Sequence, residues 1–272
     1  MPELPEVETS CRGIRPHIVG RKVSQLVVRN SKLRWPIPAN LAACLCGRKL
    51  QAVERRGKYI LLRFTHGSAL IHLGMSGSVC IVDRQAPIGK HDHFDLIFSG
   101  GCILRYTDPR RFGCLLWAEG DVATAHPLLT RLGPEPLDAC FTGDYLYTAS
   151  RKRTQALKTF IMDSKVVVGV GNIYANESLF LAGIKPVGAA GKISRVDADR
   201  LVAQIKQVLT KAIEQGGTTL KDFVGGDGKP GYFAQQLSVY GRGGEPCVGC
   251  GKALKEIRLG QRATVYCTRC QK

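Results

Sequence analysis

The spacing of hydrophobic positions changes twice along the chain. Residues Glu6 to Ile18 have a helical pattern, and the acidic residues around its start favour a helix N-terminus. From Lys22 to about Trp117, short apolar runs of strand length alternate with glycine, proline, asparagine and aspartate. Turn residues at such short intervals predict an antiparallel β-sandwich or barrel that follows one helix.

Helical spacing returns after the segment Leu132–Pro136, which marks a predicted domain boundary. Apolar residues between 195 and 215 recur on one helical face, and Ser194 with Asp197 resembles a capping box at its start. We expect a core helix there. The segment Gly225–Gly231 contains four glycines, which fits a lid over a site and a plain linker equally well.

These patterns predict an α+β multidomain protein. An N-terminal antiparallel β-sandwich with its preceding helix would occupy residues 1–131, a helical domain 132–237, and a short C-terminal segment 238–272. No apolar run reaches the roughly 18 residues of a membrane-spanning helix, and the acidic, proline-bearing start is unlike a secretory signal. We therefore expect a soluble, intracellular protein with no membrane partner.

The charge balance points to a polyanionic partner. The 272 residues include 39 Lys and Arg against 22 Asp and Glu, which gives a formal net charge of +17. Nucleic acid is the first expectation and an anionic membrane surface the second, while a merely basic protein is the plain alternative. The sequence has no HExxH and no GxGxxG, and Ala189–Lys192 lacks the leading glycine of a phosphate loop. We expect no nucleotide cofactor.

The eleven cysteines fall into two groups. Seven are scattered and are expected to be reduced thiols. The other four form two CxxC pairs that are separated by sixteen residues, a spacing that suits one tetrahedral Zn²⁺. A redox pair is the alternative. Four cysteine ligands leave no open coordination position, so the zinc would be structural. The predicted ligands are Cys247, Cys250, Cys267 and Cys270.

Four motifs together resemble one family. They are PELPEVE at residues 2–8, DPRRFG at 108–113, GVGNIY at 169–174 and the four-cysteine C-terminus. In this order they are similar to the bacterial formamidopyrimidine-DNA glycosylases of the Fpg/Nei superfamily. The resemblance implies a β-sandwich domain, a helix–two-turn–helix domain with a loop that covers the lesion, and a zinc finger.

The same resemblance implies an activity. We expect a bifunctional DNA glycosylase and AP lyase of base excision repair that removes oxidised purines such as 8-oxoguanine and formamidopyrimidines. Its partner would be double-stranded DNA that contains oxidised bases or abasic sites. The protein would act as a monomer in the bacterial cytoplasm, at the nucleoid.

Pro2 and Glu3 are the predicted catalytic pair. If Met1 is removed, Pro2 presents a secondary α-amine, and an α-amine with a pKa of about 7.7–8 is partly neutral and nucleophilic at pH 7. Attack at C1′ of the sugar would expel the base and leave an iminium cation that promotes elimination of both flanking phosphates. A primary amine could react in the same way, so the resemblance selects Pro2. Glu3 could protonate the leaving group or the sugar oxygen. A plain helix start is the alternative for both residues.

Two basic residues are predicted to assist the lyase steps by resemblance alone. Lys58 would contact the phosphate of the damaged nucleotide and assist β-elimination. Arg262, in the zinc finger, would grip phosphates and assist δ-elimination. The alternatives are that Lys58 is a solvated lysine at a strand end and that Arg262 is one basic residue among several.

Three residues match the family's intercalating trio. A base that is taken out of the stack leaves a space to be filled. Met75 and Phe112 are suitable apolar wedges, and Arg110 can donate to the orphaned partner base. Taken singly, Met75 and Phe112 would more often be core residues, but their turn-rich neighbourhoods favour loop tips.

The remaining predicted contacts are to phosphates. His91 and Asn172 match phosphate-contacting positions, and Asn172 also stands before a predicted helix whose N-terminal amides could hold an anion. The same residues are also compatible with an ordinary helix–helix turn. In the basic run that begins at Arg151, Arg153 is the first predicted DNA contact and Lys158 the next, with a solvated basic patch as the rival.

Two other functions are compatible with these residues. One is an oxidised-pyrimidine glycosylase of the endonuclease VIII type, which a panel of lesions would distinguish. The other is a non-catalytic zinc-finger protein that binds DNA, which a blocked N-terminus would favour.

Overall fold

The computed structural model describes residues 2–120, 126–217 and 237–272. They form two compact units. The first contains the described residues up to Arg131 together with 215–217, and the second contains those of 132–214 and 237–272. The glycine-rich segment Gly225–Gly231, predicted to be a lid or a linker, lies outside the described residues. No helix in the described parts of the chain is long and apolar enough to cross a membrane.

The first unit is a helix followed by two four-stranded antiparallel sheets. The elements are α1 (Leu4–Ile18), β1 (Val23–Val28), α2 (Leu41–Leu45), β2 (Ala52–Arg56), β3 (Tyr59–Phe64), β4 (Gly67–His72), β5 (Ser78–Val82), β6 (Asp92–Phe98), β7 (Ile103–Thr107), β8 (Cys114–Glu119) and α3 (Pro127–Thr130). The strand orders in the two sheets are β1-β6-β7-β5 and β2-β3-β4-β8. Apolar side chains from these elements form one core.

Helix α1 is held by both its apolar face and its polar ends. Its apolar residues at three- and four-residue spacing, such as Ile14 and Ile18, are fully buried in the core. At its start, the Glu3 amide donates to Glu6 Oε2 at 2.8 Å, as in a capping box. Near its end, the Arg15 guanidinium donates twice to the carbonyl oxygen of Val53 in β2, at 3.1 and 2.9 Å.

The second unit consists of helices and one hairpin. Helix α7 (Arg195–Glu214) begins at Arg195 as predicted, with the Ser194 hydroxyl accepting from the Asp197 amide at 3.0 Å. The elements are α4 (Gly143–Ser150), α5 (Leu157–Ile161), α6 (Asn172–Leu181), α7 (Arg195–Glu214), β9 (Lys255–Leu259) and β10 (Arg262–Tyr266). The predicted fold class is therefore confirmed, whereas the three domain bounds stay a prediction.

A buried ion network joins β6, β7 and the residue that follows β1. Asp95 in β6 is 3 % exposed and accepts from Arg105 Nε at 3.0 Å and Nη2 at 3.1 Å, and it also pairs with Arg29. Burial alone would raise the pKa of Asp95. The hydrogen bonds and charges of Arg29 and Arg105 outweigh burial and hold that pKa below its ordinary value.

Replacing Asp95 by asparagine should destabilise the first unit. In D95N an amide group faces two guanidinium donors, which we expect to lower the free energy of unfolding by about 3 kcal/mol at neutral pH. The difference from wild type should shrink as the pH falls through the lowered pKa, because protonated Asp95 loses its charge as well. Denaturant unfolding at several pH values measures both effects. The exposed Asp83→Asn is the control, and equal stability of D95N and wild type would contradict the role of the network.

Candidate functional site

The N-terminal end of α1 lies in a buried setting. Pro2 is buried and Glu3 is 2 % exposed. One turn further along α1, Glu8 Oε2 accepts from Arg55 Nε at 3.1 Å, and Arg55 Nη1 donates to the carbonyl oxygen of Gly57 at 3.0 Å. These bonds tie the start of α1 to the β2–β3 turn.

Lys58 follows Gly57 in that turn. Only two residues separate β2 from β3, and Gly57 has φ of +57°, a backbone conformation that a tight hairpin requires at its first position. Lys58 is half-buried. These bonds therefore link helix α1, which begins two residues after the predicted nucleophile Pro2, to the turn that contains the predicted lyase residue Lys58.

His72 lies beside this turn and was not among the predicted site residues. It is paired with Tyr59 across β3 and β4, with ring centroids 4.8 Å apart. Burial, together with the positive charges of Lys58 and Arg34, lowers the pKa of His72 to about 4. The imidazole is therefore neutral at pH 7. Its Nδ1 accepts from the Gly74 amide at 2.9 Å, which places the proton on Nε2.

No local motif marks His72 in the sequence. Its neutrality depends on burial between strands and on two distant cations, and neither is visible in the residues around it. The one available signal is its position at the end of a strand, two residues before a turn that contains Met75.

The loops that hold the predicted wedge residues lie against each other. Gly74, with φ of +64°, comes so near the other loop that a Cβ there would lie 2.5 Å from the carbonyl carbon of Phe112. Phe112 is 44 % exposed, and the Arg110 guanidinium lies 4.8 Å from the centre of its ring. Arg111 between them has φ of +55°, a strained conformation for a side chain of its size. The predicted trio of Met75, Arg110 and Phe112 is thus on two adjoining loops, with its members at least partly exposed.

The Asp108 carboxylate holds both loops. It is fully buried. Its Oδ1 accepts from the Ser76 hydroxyl at 2.9 Å and the Arg110 amide at 3.2 Å, and its Oδ2 accepts from the Tyr106 hydroxyl at 3.1 Å and the Gly113 amide at 3.0 Å. All four partners are donors, so a carboxylate is the side chain that suits this position.

The main chain of Asp108 also binds the segment that contains His91. Its amide donates to the His91 carbonyl oxygen at 3.0 Å, and its own carbonyl oxygen contacts Nε2 of His93 at 2.7 Å. Next to His91, Asp92 accepts from the Gly89 amide at 2.7 Å. One residue thereby connects the predicted phosphate contact His91 to the two wedge loops.

Asp108→Asn should disturb these loops more than S76A, which removes only one of the four donors. An amide group must face one of the two pairs of donors, so we expect D108N to lower the free energy of unfolding by about 3 kcal/mol, against about 1 kcal/mol for S76A. The loops should also lose amide protection in hydrogen-exchange measurements. The exposed Asp83→Asn is the matched control. Wild-type protection of residues 74–77 and 110–113 in D108N would rule out this role.

The second unit contains four predicted DNA contacts, Arg153, Lys158, Asn172 and Arg262. Asn172 is the first residue of α6, after the N-cap Gly171, and its Oδ1 is buried without a hydrogen-bond partner among the described residues. Arg153 and Arg262 are exposed, as phosphate contacts should be.

Lys158 is buried, whereas a contact to a DNA phosphate requires an exposed ammonium group. It is 1 % exposed, and its Nζ donates to the Ala263 carbonyl oxygen at 2.8 Å and the Thr264 hydroxyl at 2.7 Å. An ammonium group that is buried and hydrogen-bonded in the hairpin is not available to a phosphate. We therefore leave Lys158 out of the proposed DNA contacts.

The four predicted zinc ligands come together in space. Their sulfur atoms all lie within 4.8 Å of one another. The Cys247–Cys270 and Cys250–Cys267 sulfur pairs are 3.9 and 3.5 Å apart, close to the edge of about 3.8 Å that a tetrahedron with Zn–S bonds of about 2.3 Å has. The amides of Gly249 and Cys270 donate to two of the sulfur atoms. The donor set therefore fits one structural Zn²⁺.

Removal of zinc should unfold the hairpin. The buried cluster around it holds only a few apolar side chains, which is too small a core to be stable alone. We expect C250S to lose bound zinc and the amide protection of residues 255–266, as measured by metal analysis and hydrogen exchange. The exposed cysteine variant C140S should retain both. Full protection of these residues in zinc-free protein would contradict this expectation.

Family models match all three regions of the chain. "Formamidopyrimidine-DNA glycosylase N-terminal domain" matches residues 1–115, "Formamidopyrimidine-DNA glycosylase H2TH domain" matches 132–224, and "Zinc finger found in FPG and IleRS" matches 244–272. Formamidopyrimidine-DNA glycosylases of Cellvibrio japonicus and Stutzerimonas stutzeri are 65 % and 60 % identical to this chain, and each comparison covers the whole of both chains. The chain belongs to the formamidopyrimidine-DNA glycosylase family.

Solved structures of formamidopyrimidine-DNA glycosylases have the same fold. The Thermus thermophilus MutM protein matches with a TM-score of 0.89 and 36 % identity, with 99 % of this chain and 98 % of that chain covered. A Lactococcus lactis variant in complex with Fapy-dG-containing DNA matches with a TM-score of 0.92 and 32 % identity over the whole of both chains. The L. lactis protein bound to DNA with an abasic site has a TM-score of 0.91 and 31 % identity, with 99 % of both chains covered.

Membership of the formamidopyrimidine-DNA glycosylase family settles several predictions. The enzyme class, a bifunctional DNA glycosylase and lyase, is confirmed, and so is the zinc finger. The non-catalytic DNA-binding protein and the redox CxxC pair are therefore excluded. The individual site residues stay proposals.

Proposed function

We propose that the protein excises oxidised purines, including formamidopyrimidines and 8-oxoguanine, from double-stranded DNA and then cleaves the abasic site, with Pro2 as nucleophile. The observation that best supports Pro2 is its place at the start of α1, beside the buried Glu3 and tied through Glu8 and Arg55 to the turn of Lys58. Relatives of the same fold bind DNA that contains Fapy-dG or an abasic site.

The reaction begins with the Pro2 nitrogen. After removal of Met1, its lone pair forms a bond to C1′ of the damaged nucleotide, and the bond from C1′ to the base breaks with its electrons going to the base, which takes up a proton. The nitrogen then loses its proton, the C1′–O4′ bond breaks with its electrons going to O4′, which is protonated, and the nitrogen lone pair completes an iminium with C1′.

The iminium makes the two eliminations possible. It draws electrons from C2′, so loss of a C2′ proton expels the 3′ phosphate, and a second elimination expels the 5′ phosphate. Water finally hydrolyses the bond between the sugar fragment and Pro2. Glu3 would transfer protons at the base or at O4′. It is buried, and burial favours the neutral carboxyl group that can donate a proton. Lys58 would bind the phosphate and assist the first elimination, and Arg262 would assist the second.

The wedge residues account for access to the base. Extrusion of a nucleotide leaves a gap in the stack, and Met75 and Phe112 can fill it while Arg110 donates to the unpaired base opposite. These side chains are suited to the task because Asp108 holds their loops together. Phosphates along the strand would meet His91, Asn172 and Arg153, in keeping with the net charge of +17.

A single chain contains every group named for the reaction, so we infer that a monomer suffices. Repair of chromosomal DNA would place the enzyme in the bacterial cytoplasm, at the nucleoid.

Borohydride trapping tests the nucleophile. Protein with a free N-terminal proline, verified by mass spectrometry, is incubated with a duplex that contains one 8-oxoguanine opposite cytosine, and the adduct is mapped. We expect a covalent adduct at Pro2. In E3Q, the rate of base excision should fall by at least about 100-fold. The rate of cleavage of abasic DNA should fall less, because that substrate has no base to expel. The exposed Glu119→Gln should behave as wild type.

Other outcomes have defined meanings. An adduct at another amine, or undiminished excision by P2G or E3Q, would overturn the assigned roles. Trapping on oxidised pyrimidines but not on 8-oxoguanine or formamidopyrimidine would overturn the purine substrate and leave the mechanism intact.

A further inference from the structure

Asn176 lies in the interior of α6 and uses both ends of its side-chain amide. It is 1 % exposed. Its Nδ2 donates to the carbonyl oxygen of Asn172 at 2.6 Å, one turn back along the helix, and its Oδ1 accepts from the amide of Val265 at 3.0 Å. The side chain therefore joins the start of α6 to strand β10 of the zinc hairpin.

The contact with Val265 satisfies a buried donor that the hairpin leaves open. The β9–β10 hairpin is a two-stranded sheet, so β10 has a partner strand on one side only. Val265 is 2 % exposed. A buried amide without an acceptor is costly, and Asn176 supplies that acceptor from the helix.

Arg262 stands at the start of the same strand. The three residues that follow it are each held from a helix, because Lys158 binds Ala263 and Thr264 while Asn176 binds Val265. At a rise of about 3.3 Å per residue, Arg262 is about 10 Å from the bond at Val265. The direction of the strand, and hence the place of the guanidinium, depends on these bonds.

We propose that Asn176 is a positioning residue that couples Asn172 at the helix start to Arg262 in the hairpin. The groups that bind DNA at the two places are then held in one fixed arrangement within this unit. The inference rests on the proposed function, which assigns DNA contacts to Asn172 and Arg262 and assistance of δ-elimination to Arg262. Asn176 itself touches neither DNA nor the reacting atoms.

Ser178 offers a matched control in the same helix. It is fully buried, and its hydroxyl has no hydrogen-bond partner among the described residues. S178A therefore removes a buried polar atom from α6 without breaking a bond to the hairpin.

The experiment compares wild type, N176A, N176D and S178A on a duplex that contains one abasic site. The full-length, zinc-loaded proteins are used, and zinc content is measured for each. Two readouts are taken from the same reactions. Borohydride trapping reports iminium formation at Pro2, and the ratio of 3′-phosphate ends to 3′-unsaturated aldehyde ends reports δ- against β-elimination.

In N176A the share of δ-product should fall by at least about 5-fold at equal total cleavage, because a small displacement of a catalytic group has a large effect on its step. Trapping should stay within about 2-fold of wild type. Burial disfavours the charged carboxylate, and the neutral carboxyl group that N176D introduces can accept from the Val265 amide and donate to the Asn172 carbonyl oxygen, so this variant should recover most of the δ-share. S178A should match wild type.

Three results are decisive. A wild-type δ-share in N176A that retains its zinc would overturn the inference, and so would a δ-share in N176D as low as in N176A. A general loss of stability would lower trapping and both eliminations together, without a change in their ratio, and this too would overturn it. If wild type itself forms no adduct, the proposed function fails, which is a separate outcome.

Discussion

A buried carboxylate must be matched by hydrogen-bond donors, and this requirement fixes the loops that hold the predicted wedge residues and the segment that leads into the zinc finger. Asp108 is fully buried and accepts from four donors around the wedge loops. Glu177 is 2 % exposed and accepts from three consecutive amides, those of Ser238, Val239 and Tyr240. Loops have few apolar contacts of their own. Their placement therefore depends on groups whose burial without partners would cost several kcal/mol, or about the stability of a small domain.

The excess of positive charge has two separate uses. Arginines such as Arg55 and Arg105 turn inward and bind carboxylates or carbonyl oxygens within the first unit. Arg110 and Arg262 stay exposed, where a phosphate or a base can reach them. The net charge thus describes the attraction to a polyanion, but the residue-by-residue roles depend on which guanidinium groups already have partners.

The zinc hairpin shows how a segment too small for its own core acquires a fixed position. The four cysteines that flank the hairpin bring its two ends together at the zinc site. Side chains of α5 and α6 bind the backbone of β10. Zinc determines the local fold of the hairpin, while Lys158 and Asn176 determine where it lies on the second unit. The first constraint is a matter of cysteine spacing, and the second is a matter of contacts between distant parts of the chain.

Local features were predictable from the sequence alone. Helix α1, the strands, the start of α7 and the zinc ligands follow from periodicity, capping and CxxC spacing, since each depends on residues close together in the chain. The motifs also named the family. Features that depend on distant partners needed the tertiary structure. Burial of Lys158 is due to residues 105 and 106 positions away, and the neutral state of His72 is due to packing between strands and to the charges of Lys58 and Arg34. The same is true of Asp108, whose motif is visible in the sequence but whose four donors are brought together only by the fold.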